Sequence, residues 1–359
     1  MSFPAPSFSG KPRTADGAVV DWVGLHLAPP DPAAPFVPPA WPRPSEGAPR
    51  ASYLPACRDE PTSLLTAEEL DAYDREGFVL RAGGGIPVLS AAEVAEQSAL
   101  WEEIFRHSCE GDPQGVNGFF KRYGGAYDLV SHPAVVQLAR EILGPRLACW
   151  GAHWMCKPAG DTAATPLGML ADGVTPAPHQ DALGWPFRPA RTATVWVALD
   201  DVAEGNGPMR AWPGSHLHGE VPCGDMEEVA ALDAHFGPAR PLFPIRAGHA
   251  SLHCDMVVHS SPPSQPNAGR RLAVGIEFVG MDHGVTDRGS GWGVRCPRPL
   301  LPSARSFRHP IVVARQAACF VVGGSVTPAE AAAGFGHLPR PEVYGPPGCA
   351  RPIRDAAAL

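Results

Sequence analysis

Apolar and polar residues alternate with two different periods along this chain, and the change falls near residue 148. The first segment with helical spacing runs from Ala67 to Gly77. Thr66 precedes it and Glu69 stands three residues further on, which is the spacing of a capping box. Gly77 is predicted to end this helix, because glycine readily takes the left-handed conformation that follows a last helical turn.

Two more helices and a short strand are predicted before residue 148. One helix covers Ala91–Arg106 and begins after Ser90 as its cap. The other covers Pro133–Ile142 and stops at the Gly-Pro pair that follows it. Between the first two helices, Phe78–Leu80 has the apolar character of a strand.

From Ala148 onward the chain consists of short runs rich in β-branched and aromatic residues, separated by Gly, Pro, Asn and Asp. These runs are CWGAHWM, TATVWVALDDV, PLFPIRAG, ASLHCD and RLAVGIEFV. The pattern predicts an antiparallel sandwich or barrel, mainly β with flanking helices, rather than alternating βαβ units. Neither GxGxxG after a strand nor GxxxxGK[ST] occurs, which argues against a Rossmann or P-loop nucleotide site.

Composition narrows the class of protein further. The chain has 359 residues, of which 44% are hydrophobic and 18% charged, as expected for a globular enzyme. The net charge is −8 and the basic residues are scattered, so neither nucleic acid nor an anionic membrane is the expected partner. No apolar run reaches the roughly 18 residues of a membrane-spanning helix, and the first residues lack the apolar core of a secretory signal. The nine cysteines never form CxxC, so a reducing cytoplasm is the expected location.

The two ends of the chain differ from its middle. Residues 1–62 are rich in Pro, Ala and Gly, and 13 of the 43 prolines fall in the first 60 residues. This segment is predicted to be an extended arm on the domain or partly disordered. Residues 63–327 are predicted to form the β domain, and residues 328–359 a tail without an assigned role.

The segment Pro178-His179-Gln180-Asp181 contains the most informative chemistry. In an extended chain, residues i and i+2 point to the same face, so His179 and Asp181 can bind one ion together. A second histidine would complete a facial triad, which suits Fe(II) and leaves three positions open. HxD alone is a weak signal in a chain with 14 histidines. The simplest interpretation of any one of them is a surface residue or a hydrogen-bonded core residue.

A second HxD occurs at His253-Cys254-Asp255, close to His259. A compact site built from these residues is an alternative to one built on His179. Against this alternative, Cys254-Asp255 has the character of a turn before the run MVVHSS, and a turn would disrupt the facing geometry.

Three sequence segments, occurring in a fixed order, strengthen the interpretation of His179 and Asp181 as metal ligands. They are PHQDALGW followed by TATVWVALDDV, then GNGPMRAWPGSHLHG at residues 205–219, then VVHSSPPSQPNAGRRLAVGIEF. Over about residues 64–280 the chain resembles the phytanoyl-CoA dioxygenase family of Fe(II)- and 2-oxoglutarate-dependent oxygenases. The resemblance implies a double-stranded β-helix, a cupin-like jelly-roll barrel. It also implies that His179, Asp181 and His259 hold the iron.

The resemblance places the arginine that binds the far carboxylate of 2-oxoglutarate eleven residues after His259, which is Arg270. Strand parity gives a second reason to choose Arg270 over Arg271. The bulky apolar residues that share the parity of Arg270 are Leu272, Val274, Ile276 and Phe278. If they face the barrel interior, Arg270 faces the pocket. The alternative makes Arg270 a surface residue that pairs with Asp255 or Glu277.

Four other residues are candidates for the pocket. Ser261, two residues after His259, has the parity to reach the cosubstrate, and Lys157 is a candidate for carboxylate binding as in the family. For Lys157 a solvated position at the end of a strand is an equal alternative. Trp185 and Phe187 follow the metal motif and are candidates for the wall of the substrate pocket, with core packing as the simpler explanation.

The implied reaction is hydroxylation of a small molecule with O₂, coupled to conversion of 2-oxoglutarate into succinate and CO₂. The carboxylate of Asp181 favours hydroxylation, or a related desaturation or cyclisation, over halogenation, since halogenating relatives lack it. No concentrated basic patch lies near the motifs, so a small polar metabolite or natural-product intermediate is expected rather than an acyl-CoA. The alternatives are a cupin-like metal enzyme that does not use 2-oxoglutarate and a non-catalytic binding barrel.

Overall fold

The structure is a computed structural model of the chain, and it describes the residues that form most of the β domain. The described residues are 19–20, 26–27, 55–58, 61–108, 119–121, 123–157, 178–181, 192–219, 221, 229–281, 319–323, 328, 335–337 and 340–342. Most of the predicted arm and tail therefore lies outside the described residues, and the boundaries predicted after residues 62 and 327 stay predictions.

The described part of the chain contains five α-helices and thirteen strands. The helices are α1 (Ala67–Glu76), α2 (Ala91–Ser108), α3 (Gly124–Val130), α4 (Pro133–Leu143) and α5 (Val229–Phe236). The strands are β1 (Val19–Val20), β2 (His26–Leu27), β3 (Phe78–Val79), β4 (Ile86–Pro87), β5 (Leu147–Lys157), β6 (Thr192–Ala198), β7 (Arg210–Ala211), β8 (Arg240–Pro241), β9 (His249–Cys254), β10 (His259–Ser260), β11 (Arg271–Gly280), β12 (Cys319–Gly323) and β13 (Phe335–Gly336).

Local signals explain where the helices begin and end. Thr66 and Glu69 form the predicted capping box of α1, and Gly77 ends this helix with a φ of 87°. Ser90 accepts a hydrogen bond from the backbone N–H of Glu93, which caps α2 as predicted. The three predicted helices are thus confirmed, and each boundary lies within two residues of the prediction.

Two antiparallel sheets form the β domain. Within the described residues the larger sheet has eight strands in the order β13-β12-β5-β11-β6-β9-β3, with β4 also paired to β9. The smaller sheet has the order β10-β7-β8. Apart from the parallel pair of β12 and β13, neighbouring strands run antiparallel, as the short β-branched runs predicted.

One face of the larger sheet is apolar and covered by helices. On β11 this face carries Leu272, Val274 and Ile276, all fully buried. Helix α4 packs on the central strands β5, β6 and β11, and Phe119 contacts the ring of Trp154 from the same side. We call this the outer face, and it contains much of the hydrophobic core.

The opposite face of the larger sheet carries polar and charged side chains, and we call it the inner face. Residues directly opposite in an antiparallel pair point to the same side. One row across the sheet therefore places Glu277, Thr194 and His253 side by side on this face. A Cβ on Gly275 would lie 3.2 Å from the side chain of Met155 and 3.5 Å from that of Thr194, so this glycine lets its neighbours pack closely over the strand.

The last residues of the predicted arm contact the helices. The backbone N–H of Cys57 donates to the carbonyl of Ile142, and Arg58 pairs with Asp71 and Asp74 of α1. In the described part of the chain, no helix is both long enough and apolar enough to cross a membrane. The predicted cytoplasmic location stays a prediction.

Candidate active site

A short β-bridge brings the two histidines of the predicted site together. The backbone N–H of His179 donates to the carbonyl of His259, and the N–H of His259 donates back, both at 3.0 Å. His259 begins β10 of the smaller sheet, so the segment 178–181 continues that sheet by one residue pair. The bridge fixes the two imidazoles with ring centroids 4.2 Å apart.

Asp181 completes a cluster whose ligand atoms converge. Its Oδ1 lies 3.4 Å from Nε2 of His179 and 3.8 Å from Nε2 of His259. One ligand atom from each of the three residues lies within 4.8 Å of the others, and this is the group of described residues that could hold a metal ion. The side chain of His179 is 41% exposed and that of His259 is buried, so the cluster opens on the side of His179.

Charges within the cluster favour the protonation states that bind a metal. Burial would raise the pKa of Asp181, but His259 and the contacts with His179 and His253 lower it well below its usual range. Burial, together with the neighbouring His179, lowers the pKa of His259 to about 3. A carboxylate next to a neutral imidazole is the state that coordinates a divalent cation.

The alternative cluster of His253, Asp255 and His259 does not form a site of this kind. His259 joins His179 and Asp181, and Asp255 lies in the turn that follows β9, as the sequence predicted. His253 itself nevertheless lies close by, with Nε2 3.6 Å from Oδ2 of Asp181. The sequence indicated this histidine, but as part of the wrong grouping.

The prediction that Arg270 faces the pocket is wrong. Its guanidinium lies at the surface, 34% exposed, and Asp200 binds it with two hydrogen bonds of 2.8 and 3.0 Å. Glu102 is a further partner at 2.9 Å, so the partners predicted for a surface Arg270 were also wrong. The physical reason is that the apolar parity of β11 marks the helix-covered outer face and not the barrel interior.

Arg271 occupies the inner face instead. Arg271 is 3% exposed, and its guanidinium lies 5.4 Å from the centroid of the Trp196 ring. Nη1 donates to the carbonyl of Gly207 at 2.7 Å and to Oγ of Ser261 at 3.2 Å. Its Nε is buried without a hydrogen-bond partner, and no carboxylate of the described residues pairs with it. Burial lowers the pKa of Arg271 to about 10, which still leaves it charged at neutral pH.

Lys157 and Ser261 lie beside Arg271. Lys157 is buried, and its Nζ donates to the carbonyls of Ser261 and Pro262. The solvated position considered for Lys157 is therefore wrong. Gly207 has a φ of 68°, and a Cβ there would lie 2.6 Å from the carbonyl oxygen of Pro262 and 2.8 Å from Nζ of Lys157. Only a glycine fits this turn, which lets two cationic side chains approach the same backbone.

An ion pair between a histidine and a glutamate lies further along the inner face. Nε2 of His153 on β5 is 2.8 Å from Oε1 of Glu277 on β11, and His153 is partly exposed. Burial lowers the pKa of His153, but Glu277 raises it by more, so the pKa ends above its usual value. This pair was not predicted from the sequence, although the alternation in HWMCK contains the signal: His153, Met155 and Lys157 share one face.

The arrangement fits iron and 2-oxoglutarate. The cluster supplies two imidazoles and one carboxylate, the donor set that non-haem iron oxygenases use. A buried guanidinium without a carboxylate partner, next to a buried ammonium, fits a dicarboxylate. Trp185 and Phe187, predicted to line the substrate pocket, lie outside the described residues.

Comparison with known proteins gives the family and the fold. The phytanoyl-CoA dioxygenase (PhyH) family model matches residues 73–272. No curated protein sequence matches the chain. The apo structure of the non-heme monooxygenase ThoJ has 24% identity and a TM-score of 0.51, over 76% of this chain and 88% of that one. EctD from S. alaskensis, with 2-oxoglutarate and 5-hydroxyectoine, has 19% identity and a TM-score of 0.51, over 70% of this chain and 88% of that one.

At these identities the solved structures establish the fold, which is the jelly roll of cupin-like oxygenases, mainly β with flanking helices. The family match covers more than half of the chain. The chain belongs to the phytanoyl-CoA dioxygenase family. It is therefore a non-haem oxygenase that depends on iron and 2-oxoglutarate.

Proposed function

We propose that the protein hydroxylates a small molecule at iron held by His179, Asp181 and His259. The observation that carries the proposal is the convergence of one ligand atom from each residue within 4.8 Å, with the cluster open on one side. A single carboxylate and two imidazoles leave three positions for cosubstrate and O₂. Because Asp181 supplies its carboxylate, the site has no place for a halide ligand, which favours hydroxylation or a related desaturation or cyclisation.

The far carboxylate of 2-oxoglutarate is assigned to Arg271, with Lys157 and Ser261 beside it. This assignment replaces Arg270, whose guanidinium is already bound by Asp200 and Glu102. The Nε of Arg271 has no hydrogen-bond partner among the described residues, which supports the assignment, because a buried polar group without a partner is costly and a bound carboxylate would satisfy it. Ser261 already links Arg271 to Gly207, so it holds the guanidinium in place.

The substrate is proposed to be a small polar metabolite or a natural-product intermediate. The support is the inner face, where His153 with Glu277 offers polar contacts beside the apolar side chains of Met155 and Trp196. A pocket of this kind recognises a ligand by a few placed polar groups among apolar walls.

The residues of the chain have defined tasks in this reaction. His179, Asp181 and His259 hold the metal with ligand atoms already facing one another, and Arg271 orients the cosubstrate by charge and hydrogen bonds. Arg271, Lys157 and Ser261 are buried, so water has little access to the proposed carboxylate site. When bound, iron and 2-oxoglutarate would activate O₂, so that one oxygen atom enters a C–H bond of the substrate and the other enters succinate, with release of CO₂.

The test is formation of succinate from 2-oxoglutarate with Fe(II) and O₂, followed with and without a panel of small polar molecules. We expect slow formation of succinate alone, and faster formation when a substrate is present. Asp181→Ala should abolish both activities. The matched control is Asp201→Ala, since the carboxylate of Asp201 lies at the surface and accepts a hydrogen bond from the backbone N–H of Ala247.

Two results would favour other functions. A protein that binds iron and oxidises or isomerises a substrate without consuming 2-oxoglutarate would be a cupin-like enzyme of another class. A protein that binds small molecules and yields no succinate under any condition would be a binding barrel that does not turn over.

A further inference from the structure

His253 is a buried histidine with a single polar contact among the described residues. It lies on the inner face of β9 and is 3% exposed. Its Nε2 lies 3.6 Å from Oδ2 of Asp181, and its Nδ1 is buried without a hydrogen-bond partner in the described part of the chain. Its ring centroid lies 4.9 Å from that of His259. His253 is thus directed at the carboxylate of the metal cluster and at little else.

The two oxygens of Asp181 have different surroundings. Oδ1 faces the ligand histidines, at 3.4 Å from Nε2 of His179 and 3.8 Å from Nε2 of His259. Oδ2 is the oxygen that faces His253, at 3.6 Å from its Nε2. The contact from His253 therefore distinguishes one oxygen of this carboxylate from the other.

Packing alone does not explain a histidine at this position. A buried imidazole with one unpaired nitrogen is unfavourable, and an apolar side chain would fill the same space without that cost. A distance of 3.6 Å is longer than a hydrogen bond, but such contacts in a metal-free site tighten when the site is loaded. A small movement of either side chain makes His253 a donor to Oδ2.

We propose that His253 is a positioning residue that donates from Nε2 to Oδ2 of Asp181, so that only Oδ1 is offered to the metal. A carboxylate that binds through one oxygen keeps three positions open for cosubstrate and O₂, whereas binding through both oxygens would remove one of them. Partners of metal ligands orient the ligands and tune their affinity. The inference rests on the proposed iron site at His179, Asp181 and His259.

The experiment measures Fe(II) affinity by anaerobic competition with a coloured chelator, together with the visible spectrum of the Co(II)-loaded protein. The variants are His253→Phe, which keeps a ring and removes the donor, and His253→Gln, which keeps an N–H. Ser251→Ala is the matched control, because Ser251 is buried on the same strand and the same face, two residues away. His253→Met replaces the Phe variant if that variant does not fold.

We expect His253→Phe to weaken Fe(II) binding about 10- to 100-fold, the usual effect of removing a partner of a ligand. Its Co(II) spectrum should change in shape, because the coordination by the carboxylate changes. His253→Gln should recover most of the affinity and the wild-type spectrum, and Ser251→Ala should match wild type in both.

Three results overturn the inference. The first is wild-type affinity and spectrum in His253→Phe. The second is a His253→Gln variant as impaired as the Phe variant. The third is a loss in His253→Gln as complete as in His179→Gln, which would make His253 a ligand itself. Failure of the proposed function is a separate result, since it requires that the wild-type protein itself does not bind Fe(II).

Discussion

The two faces of strand β11 have the same backbone and opposite chemistry. The outer face carries Leu272, Val274 and Ile276, which pack under α4 with the apolar residues of β5 and β6. The inner face carries Arg271 and Glu277 separated by small residues. Glu277 pairs with His153 of β5, and Arg271 donates to the carbonyl of Gly207. Stability and chemistry are thus assigned to alternate residues of one strand.

This difference shows how alternation should be interpreted in a barrel flanked by helices. Bulky apolar residues on alternate positions mark the face that the helices cover, since that is where a hydrophobic core forms. The interior of a barrel that holds a charged cosubstrate needs cations and space. Arg270 shares the parity of the bulky apolar residues and therefore lies on the outer face, whereas Arg271 lies inside.

The largest expected effect concerns the metal cluster on the inner side. Asp181→Ala removes one of three converging ligands, and we expect Fe(II) affinity to fall by more than the ~100-fold typical of losing a mere partner of a ligand. The unfolding free energy of the metal-free protein should also fall at neutral pH, because a carboxylate whose pKa is lowered in the folded state stabilises that state. Anaerobic Fe(II) titration and urea unfolding measure the two quantities. An unchanged Fe(II) affinity would contradict the assignment of this cluster.

The opposite result is expected on the outer face. Ile276→Ala leaves a cavity under α4 and should lower the unfolding free energy by about 2–5 kcal/mol. The dissociation constants for Fe(II) and 2-oxoglutarate should stay within a factor of about two of wild type, since no atom of the site is touched. Urea unfolding tests the first statement and equilibrium binding the second. A large loss of 2-oxoglutarate affinity without loss of stability would contradict the claim that the outer face serves stability and the inner face serves binding.

Two glycines with positive φ provide a finer test. A Cβ on Gly207 would lie 2.6 Å from the carbonyl oxygen of Pro262, whereas a Cβ on Gly219 meets nothing within 4 Å. Alanine at either position costs about 1–2 kcal/mol of backbone strain. Only Gly207→Ala should also displace Lys157 and weaken 2-oxoglutarate binding, by roughly tenfold. Equal 2-oxoglutarate affinity in the two variants would show that this turn does not shape the anion site.

The smallest expected effect is a pH dependence of the metal-free protein. The pKa of His259 is about 3 when folded, against 6.5 as its ordinary value, so the unfolded chain binds a proton that the folded chain does not. Stability therefore falls as pH drops through 6.5 towards 3, and the loss between pH 6.5 and 5.5 is about 1 kcal/mol. His259→Gln removes this contribution, so its unfolding free energy should fall less than that of wild type over the same interval. Parallel pH profiles for the two proteins would contradict the low pKa.

Much of the fold and half of the site could be predicted from the sequence because the signals are local. Thr66, Glu69 and Gly77 encode the ends of α1 within a few residues. The HxD spacing of His179 and Asp181 offers a metal pair, which the ordered segments around it distinguish from the second HxD. The interior side of a strand is not a local property, since it depends on where the helices pack. That is why Arg271 was missed and why the ion pair of His153 with Glu277, on separate strands, was not predicted.

The decisive measurement is an anaerobic titration of the Fe(II)-loaded protein with 2-oxoglutarate, following the weak visible charge-transfer band of a keto acid chelated to iron. Wild type is compared with Arg271→Met and Arg270→Met. We expect the band in all three, with a 2-oxoglutarate dissociation constant raised about 30- to 100-fold in Arg271→Met, as for loss of a buried charge partner. Arg270→Met should bind within about threefold of wild type, because Asp200 and Glu102 already occupy its guanidinium. The reverse order of the two arginine variants, or no band in wild type, would contradict the assignment of the inner face.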